Sequence, residues 1–264
     1  NSFLIINWRS MKIVPIKAFT DNYIWAMCTN DHCVVVDPGD AKPVMQFLNE
    51  QQLTLSAVLI THHHPDHTGG IKALTQAFPD LPVFGPNNPS IAGITQTLQE
   101  HDVIYLNELQ LECFVIEAPG HTLDHIMFYT KGVLFCGDTL FSVGCGRLFE
   151  GTPRQMTETL KKITRLPTDT MLYCTHEYTQ ANIEFALDVE PDNEYLKQYK
   201  LWVERQIFNN KPTLPTMLQE QLKLNPFLRL NESNVKLYAD KFAQNLLSDS
   251  VQVFAALRQA KDEF

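Results

Sequence analysis

Long apolar runs, paired cysteines and an excess of basic residues are all missing from this sequence. No apolar run approaches the roughly 18 residues of a membrane-spanning helix, which argues against a protein that crosses a membrane. Lys and Arg total 21 against 30 Asp and Glu, giving a net charge of −9. A chain this acidic is a poor candidate for binding nucleic acid or an anionic membrane. We therefore expect neither as a partner.

The six cysteines form no Cys-x-x-Cys pair, and most lie in apolar runs such as residues 133–136. A chain of 264 residues buries a sizeable core without disulfides, so we expect buried, reduced thiols. The apolar stretch over residues 3–6 is too short for a secretory signal. These features predict a cytoplasmic protein.

The pattern of apolar residues changes about two thirds of the way along the chain. Up to residue 176, short β-branched runs alternate with turns and helical stretches. After it, apolar residues recur at three- and four-residue spacing without strand-like alternation. We therefore predict an N-terminal extension whose order is left open (residues 1–10), an α/β domain (11–176) and an all-helical domain (177–264).

A histidine-rich segment directly follows the apolar run over residues 57–60. It places His62 and His64 two residues apart and then adds Asp66 and His67. Imidazole and carboxylate groups together are typical ligands of borderline-soft divalent metals. The alternative, a solvated His-rich loop, explains neither the aspartate nor the position at a strand end.

Three further side chains of the same kind follow predicted strands. His121 comes after residues 114–117, Asp138 after residues 133–136, and His176 after residues 171–174. Each alone is compatible with an ordinary surface residue. Together with the first segment they supply seven potential metal ligands at strand ends, where α/β sheets commonly place their sites.

These motifs resemble the metallo-β-lactamase superfamily, and their surroundings resemble its glyoxalase II family. The motifs that carry the resemblance are His62-x-His64-x-Asp66-His67, Pro119-Gly120-His121, Gly137-Asp138, His176-Glu177-Tyr178, Gly144-Cys145-Gly146-Arg147, Asn225-Pro226-Phe227-Leu228-Arg229 and Lys261-Asp262-Glu263-Phe264. The resemblance runs from Met11 to the C-terminus. It implies an α/β fold, a four-layer αββα metallo-β-lactamase sandwich, followed by an all-helical C-terminal domain that completes the substrate pocket.

The resemblance also implies a site with two divalent metal ions. Zinc is the first expectation, and iron or manganese suits the same ligands. One ion would be held by His62, His64 and His121, and the second by Asp66, His67 and His176, with Asp138 bridging both. The implied reaction is hydrolysis of the thioester S-D-lactoylglutathione by a hydroxide shared between the metals. Asp66 and Asp138 are the implied catalytic residues.

The substrate is a small anionic molecule, and the resemblance assigns its binding to Arg147, Tyr178, Arg258 and Lys261. Without that resemblance, the charged members of this set read as solvated surface residues. The sequence departs from the family pattern at Phe149, often Tyr, and at Asp124, usually Gly. A monomeric enzyme is expected.

Other functions remain open at this point. A glutathione persulfide dioxygenase or a lactonase of the same superfamily would share much of the ligand set. A metal ion with a purely structural role is a further alternative. An antibiotic-hydrolysing β-lactamase is disfavoured because it would carry Cys at the position of Asp138. A tRNA-processing nuclease is disfavoured by the net charge of −9.

Overall fold

The computed structural model describes residues 11–264, so the predicted extension over residues 1–10 lies outside the described residues. Spatial contacts divide the chain into two compact units. The N-terminal unit consists of the described residues up to Glu117 and Ile126–Lys131, and the C-terminal unit of Ala118–His125 and Gly132–Phe264. These units are defined by contacts in space, whereas the predicted domain boundary after residue 176 rests on the sequence pattern. That boundary therefore stays a prediction.

The N-terminal unit is built on a mixed six-stranded sheet and a three-stranded antiparallel ladder. Its elements are β1 (Lys12–Ala18), β2 (Asn22–Cys28), β3 (His32–Val36), α1 (Ala41–Gln51), β4 (Thr54–Leu59), α2 (Pro65–Thr68), α3 (Ile71–Ala77), β5 (Val83–Pro86), β6 (Gln96–Leu98), β7 (Val103–Leu106), a 3-10 turn (Asn107–Leu109), β8 (Leu111–Glu117) and β9 (Ile126–Thr130). The sheet runs in the order β1 to β6, antiparallel across β1-β2-β3 and parallel from β3 to β6. Strands β7, β8 and β9 pair antiparallel.

The parallel strands β3 and β4 determine where the polar loops emerge. Both are largely buried apolar runs, as expected for strands covered on both faces. Val44 and Leu48 of α1 and Leu74 of α3 pack into the core on this sheet. Because β3 and β4 run in the same direction, the residues that follow them lie at one edge of the sheet.

The C-terminal unit combines short strands with six helices. Its elements are β10 (Val133–Gly137), β11 (Leu140–Phe141), β12 (Gly144–Cys145), α4 (Pro153–Thr164), β13 (Met171–Cys174), α5 (Thr179–Val189), α6 (Glu194–Phe208), β14 (Thr216–Met217), α7 (Leu218–Leu224), a 3-10 turn (Pro226–Leu228), α8 (Ser233–Ala243) and α9 (Ser250–Glu263). Strands β10 and β13 are parallel, and β14 pairs antiparallel with β13. The sequence Thr152-Pro153-Arg154-Gln155 predicts a helix start, because it combines a capping residue, a proline at the first helical position and a capping-box glutamine. This start is confirmed, since a complete capping box joins Thr152 and Gln155.

The helical character predicted after residue 176 is confirmed, with two additions. Helix α7 and the two-residue strand β14 follow the prolines that break the helical pattern, and both are too short to show a periodicity of their own. Over residues 11–264, no helix is both long enough and apolar enough to cross a membrane.

Candidate metal centre and substrate subsite

The predicted ligand loop begins after β4 and ends in the one-turn helix α2. A proline at the first helical position starts this helix and places Asp66 and His67 in its single turn. A Cβ atom on Gly39 would overlap the backbone carbonyl of Asp66. Glycine therefore lets the turn after β3 lie directly against the ligand loop.

Asp37 braces the loop from the end of β3. The side chain is buried: Oδ1 accepts from the backbone N–H of Thr61 at 2.8 Å, and Oδ2 accepts from the Thr61 hydroxyl at 2.8 Å and from His67 Nδ1 at 2.9 Å. Its backbone φ of 54° lies in the left-handed region, which Asp and Asn tolerate better than most residues. Carboxylates that fix an imidazole in this way are a common outer support of metal sites.

These hydrogen bonds determine which ring nitrogens carry protons. A carboxylate only accepts, so His67 Nδ1 donates to Asp37 and His67 Nε2 carries the lone pair. The Thr61 hydroxyl gives its one proton to Asp37, so His62 Nδ1 donates to Thr61 Oγ1 across 3.0 Å. Both rings therefore offer Nε2 as a metal donor. His62 Nε2 lies 3.0 Å from His64 Nδ1.

Asp66 is the partly exposed member of this group, with 38% of its side chain accessible. Asn22 Nδ2 donates to its Oδ2 across 2.9 Å, and His67 Nε2 lies 3.5 Å from the same oxygen. The sequence did not indicate this contact, which joins residues 44 positions apart. The amide holds the carboxylate in one orientation.

The other three predicted ligands, His121, Asp138 and His176, lie together in the C-terminal unit. Because β10 and β13 are parallel, Asp138 and His176 emerge at the same edge. Oδ2 of Asp138 lies 3.3 Å from His176 Nε2 and 3.5 Å from His121 Nε2. One carboxylate oxygen thus adjoins both imidazoles, an arrangement that suits the predicted bridging role.

The surroundings of Asp138 are also fixed by hydrogen bonds. His121 Nδ1 donates to the carbonyl of Arg147 across 2.8 Å, which leaves Nε2 as the nitrogen with the lone pair. His125 is buried, and its Nε2 accepts from the backbone N–H of Asp138 at 3.1 Å. His125 therefore positions the backbone that carries Asp138.

The structure brings the predicted ligands together in two groups, one in each unit. The N-terminal unit holds His62, His64, Asp66 and His67, and the C-terminal unit holds His121, Asp138 and His176. That these groups share two metal ions stays a prediction.

The predicted substrate arginines occupy very different surroundings. Arg258 is buried, and its Nη1 donates to the carbonyl of Cys145 across 2.8 Å. Arg147 keeps 56% of its side chain accessible. Both donate to Oδ1 of Asp262, Arg147 Nε across 3.0 Å and Arg258 Nη2 across 2.9 Å. Arg258 is therefore not the solvated surface charge that the sequence alone suggests.

Tyr178 and Lys261 lie on neighbouring parts of the same unit. The Tyr178 ring stacks on His176 with centroids 4.7 Å apart and an interplanar angle of 5°. Lys261 Nζ donates to the carbonyl of Ala181 across 3.1 Å. Burial and the charge of Arg258 lower the pKa of Lys261 below its usual value.

No role for Asp262 was predicted from the sequence. Its spacing, four residues after Arg258 on one helix, would have indicated a contact between the two side chains.

The two departures from the family pattern both lie near predicted ligands in sequence or space. Phe149 contacts the His121 ring edge-on at 5.3 Å. Asp124 accepts a hydrogen bond from the Thr122 hydroxyl across 2.7 Å. Neither departure from the family pattern removes a predicted ligand.

All six cysteines are buried and form no disulfide, as expected. Burial raises the pKa of the Cys145 thiol to about 11, which keeps it protonated at neutral pH. Burial likewise raises the pKa of Cys136 well above its usual value, and its thiol donates to the carbonyl of Leu140 across 3.2 Å. Neither thiol is suited to act as a nucleophile at neutral pH.

Two protein-family models together match residues 19–264 of the chain. The model of the metallo-beta-lactamase superfamily matches residues 19–176, and that of the hydroxyacylglutathione hydrolase C-terminus matches residues 177–264. Hydroxyacylglutathione hydrolase from Idiomarina loihiensis is 49% identical over 254 residues, covering 96% of this chain and 99% of that protein. The enzyme of the same name from Vibrio campbellii is 50% identical over 256 residues, covering 96% of this chain and 100% of that protein.

A solved structure also resembles the chain. The crystal structure of ETHE1 from Myxococcus xanthus matches with a TM-score of 0.63 at 21% identity, covering 95% of this chain and 97% of that one. At this identity the likeness concerns the fold alone.

Proposed function

The chain belongs to the hydroxyacylglutathione hydrolases of the metallo-β-lactamase superfamily, and on that basis we propose that it hydrolyses S-D-lactoylglutathione to D-lactate and glutathione. This reaction is the second step of methylglyoxal detoxification. The predicted fold, a metallo-β-lactamase domain with a C-terminal helical domain, is confirmed by the same family matches. The chain is a metal-dependent hydrolase.

The fold and the histidine and aspartate side chains together indicate a binuclear metal site. We assign His62, His64 and His121 to one ion, Asp66, His67 and His176 to the other, and Asp138 to both. The observation that carries this assignment is the position of one Asp138 oxygen beside the Nε2 atoms of His121 and His176. The donor set suits zinc, which accepts imidazole and carboxylate ligands.

The proton positions support the same assignment. His62, His67 and His121 each donate through Nδ1 to a fixed acceptor, so all three present Nε2 to a metal. Two divalent ions held by these residues would lower the pKa of a shared water towards neutrality and polarise the thioester carbonyl. The remaining chemistry falls to the side chains.

We assign to Asp66 the role of orienting the attacking water. Its carboxylate is held by Asn22 and is partly exposed, so it can accept a hydrogen bond from that water and point a lone pair of its oxygen at the carbonyl carbon. The departing thiolate is stable near neutral pH, because free thiols have a pKa of about 8.5. No side-chain general acid is needed for its release.

The glutathione part of the substrate carries carboxylates, and we assign its binding to Arg147, Tyr178, Arg258 and Lys261. In this assignment three cations would bind the anionic ligand, although the chain as a whole carries a net charge of −9. Tyr178, stacked on His176, joins this subsite to the metal ligands. Arg147 also connects the subsite to a metal ligand, because its backbone carbonyl accepts a hydrogen bond from His121 Nδ1.

We further propose a cytoplasmic monomer without a nucleic-acid or membrane partner. The burial of all six cysteines without disulfides supports the location, and the acidic composition supports the absence of anionic polymers as partners.

Parallel assays on one metal-loaded preparation separate this function from its alternatives. The hydrolase requires loss of thioester absorbance with S-D-lactoylglutathione and no oxygen uptake with glutathione persulfide. Oxygen uptake without thioester cleavage would indicate the dioxygenase, and cleavage of lactones alone would indicate the lactonase. The match of residues 177–264 to the hydroxyacylglutathione hydrolase C-terminus favours the first result.

A further inference from the structure

Asp262 connects the two arginines assigned to the substrate. A single oxygen, Oδ1, accepts from Arg147 Nε across 3.0 Å and from Arg258 Nη2 across 2.9 Å. Arg147 follows strand β12, whereas Arg258 and Asp262 lie one turn apart on α9. The carboxylate therefore joins two cations that come from different parts of the C-terminal unit.

The two arginines depend on Asp262 to different degrees. Arg258 is also held by the carbonyl of Cys145 and lies over the Phe227 ring at 5.3 Å, so its buried side chain has little freedom. The exposed guanidinium of Arg147 has no hydrogen-bond partner besides Asp262 within residues 11–264. Loss of Asp262 would release Arg147 far more than Arg258.

The backbone of Arg147 is fixed independently, because its carbonyl accepts from His121 Nδ1 across 2.8 Å. The guanidinium is the part that needs orientation. A long, exposed side chain loses considerable rotamer freedom when it binds a ligand, and a hydrogen bond formed beforehand removes much of that cost.

We infer that Asp262 is a positioning residue that holds the Arg147 guanidinium beside that of Arg258, so that both meet one carboxylate of the substrate. The inference rests on the proposed function, since it concerns the glutathione part of the thioester. Loss of Asp262 would have two opposite effects on substrate binding, one through charge and one through orientation. Removing a negative charge next to two arginines strengthens their attraction for an anion, whereas losing their orientation weakens binding.

The test compares Asp262→Ala with Asp262→Asn and Glu263→Gln. Asp262→Ala removes both the charge and the acceptor, and we expect KM for S-D-lactoylglutathione to rise about three- to tenfold with little change in kcat. Asp262→Asn keeps an acceptor oxygen and should recover most of that loss. Glu263→Gln removes a charge from the same helix turn, where Glu263 accepts only from Gln259 among the described residues, and should not raise KM.

Two further measurements separate positioning from general damage. In Asp262→Ala, the ratio of kcat/KM for S-D-lactoylglutathione to that for a thioester of N-acetylcysteamine, which lacks the carboxylates, should fall by the same factor. In an Arg147→Ala background, Asp262→Ala should raise KM by less than twofold, because the guanidinium it positions is gone.

An unchanged or lowered KM in Asp262→Ala would overturn the inference, because the charge effect would then dominate. An equal loss with both thioesters would also overturn it, because the damage would not concern carboxylate recognition. Absence of hydrolysis in the metal-loaded wild-type enzyme would instead contradict the proposed function itself.

Discussion

The substitution Asp37→Asn tests how the ligand loop is held in place. Three donors converge on the Asp37 carboxylate: the Thr61 backbone N–H, the Thr61 hydroxyl and His67 Nδ1. A carboxylate accepts all three, whereas an asparagine offers one oxygen and turns its own N–H group towards a donor. Asparagine tolerates the φ of 54° at this position, so the backbone is not strained. The change therefore removes one buried hydrogen bond and the charge that orients the His67 ring.

We expect Asp37→Asn to lower the affinity for metal, because Asp37 accepts a hydrogen bond from the predicted ligand His67. Loss of such a contact lowers metal affinity about 10- to 100-fold, which corresponds to about 1.4–2.7 kcal/mol. We would measure affinity by competition with a chromophoric chelator at constant pH and salt. Asp40→Asn is the matched control, because Asp40 caps α1 by accepting from the Lys42 backbone N–H and asparagine caps equally well. Metal affinity within twofold of wild type in Asp37→Asn, or an equal loss in Asp40→Asn, would show that Asp37 does not support the ligand His67 in this way.

Four other outcomes are expected. Asp138→Ala should abolish thioester turnover, and full activity with both metals retained would contradict its bridging role. Arg229→Ala should lower the free energy of unfolding by about 3–5 kcal/mol, measured with urea, because it leaves the buried Glu190 carboxylate without its cation. Thr152→Ala should cost about 1 kcal/mol in the same assay, because it removes the N-cap of α4. Iodoacetamide at pH 7.5 should leave Cys145 unmodified by mass spectrometry, because the pKa of its thiol is about 11 and alkylation requires the thiolate.

The sequence predicted those elements whose signals are local. Strand β13 was expected over its observed residues, and the capping box at Thr152 predicted the start of α4. Strand β5 was not predicted, because it has only four residues and ends in Gly85-Pro86, which reads as a turn. Two-residue strands such as β14 carry no periodicity to detect.

The same distinction holds for the site. The seven candidate metal ligands were identified because they follow predicted strands, whereas their division between two ions came from the family resemblance. The burial of Arg258 was not predicted, because it depends on a carbonyl and a ring that are distant in sequence, those of Cys145 and Phe227. The contact between Asn22 and Asp66 likewise joins residues 44 positions apart. Such contacts exist only once the chain has folded.

The metal dependence of the proposed hydrolysis is tested most directly by the turnover of S-D-lactoylglutathione by metal-free protein titrated with a divalent metal. A binuclear hydrolase should show negligible hydrolysis without metal and a rate that rises to a plateau at two ions per chain. Full hydrolysis by the metal-free chain, or none at all with two ions bound, would contradict the proposed function.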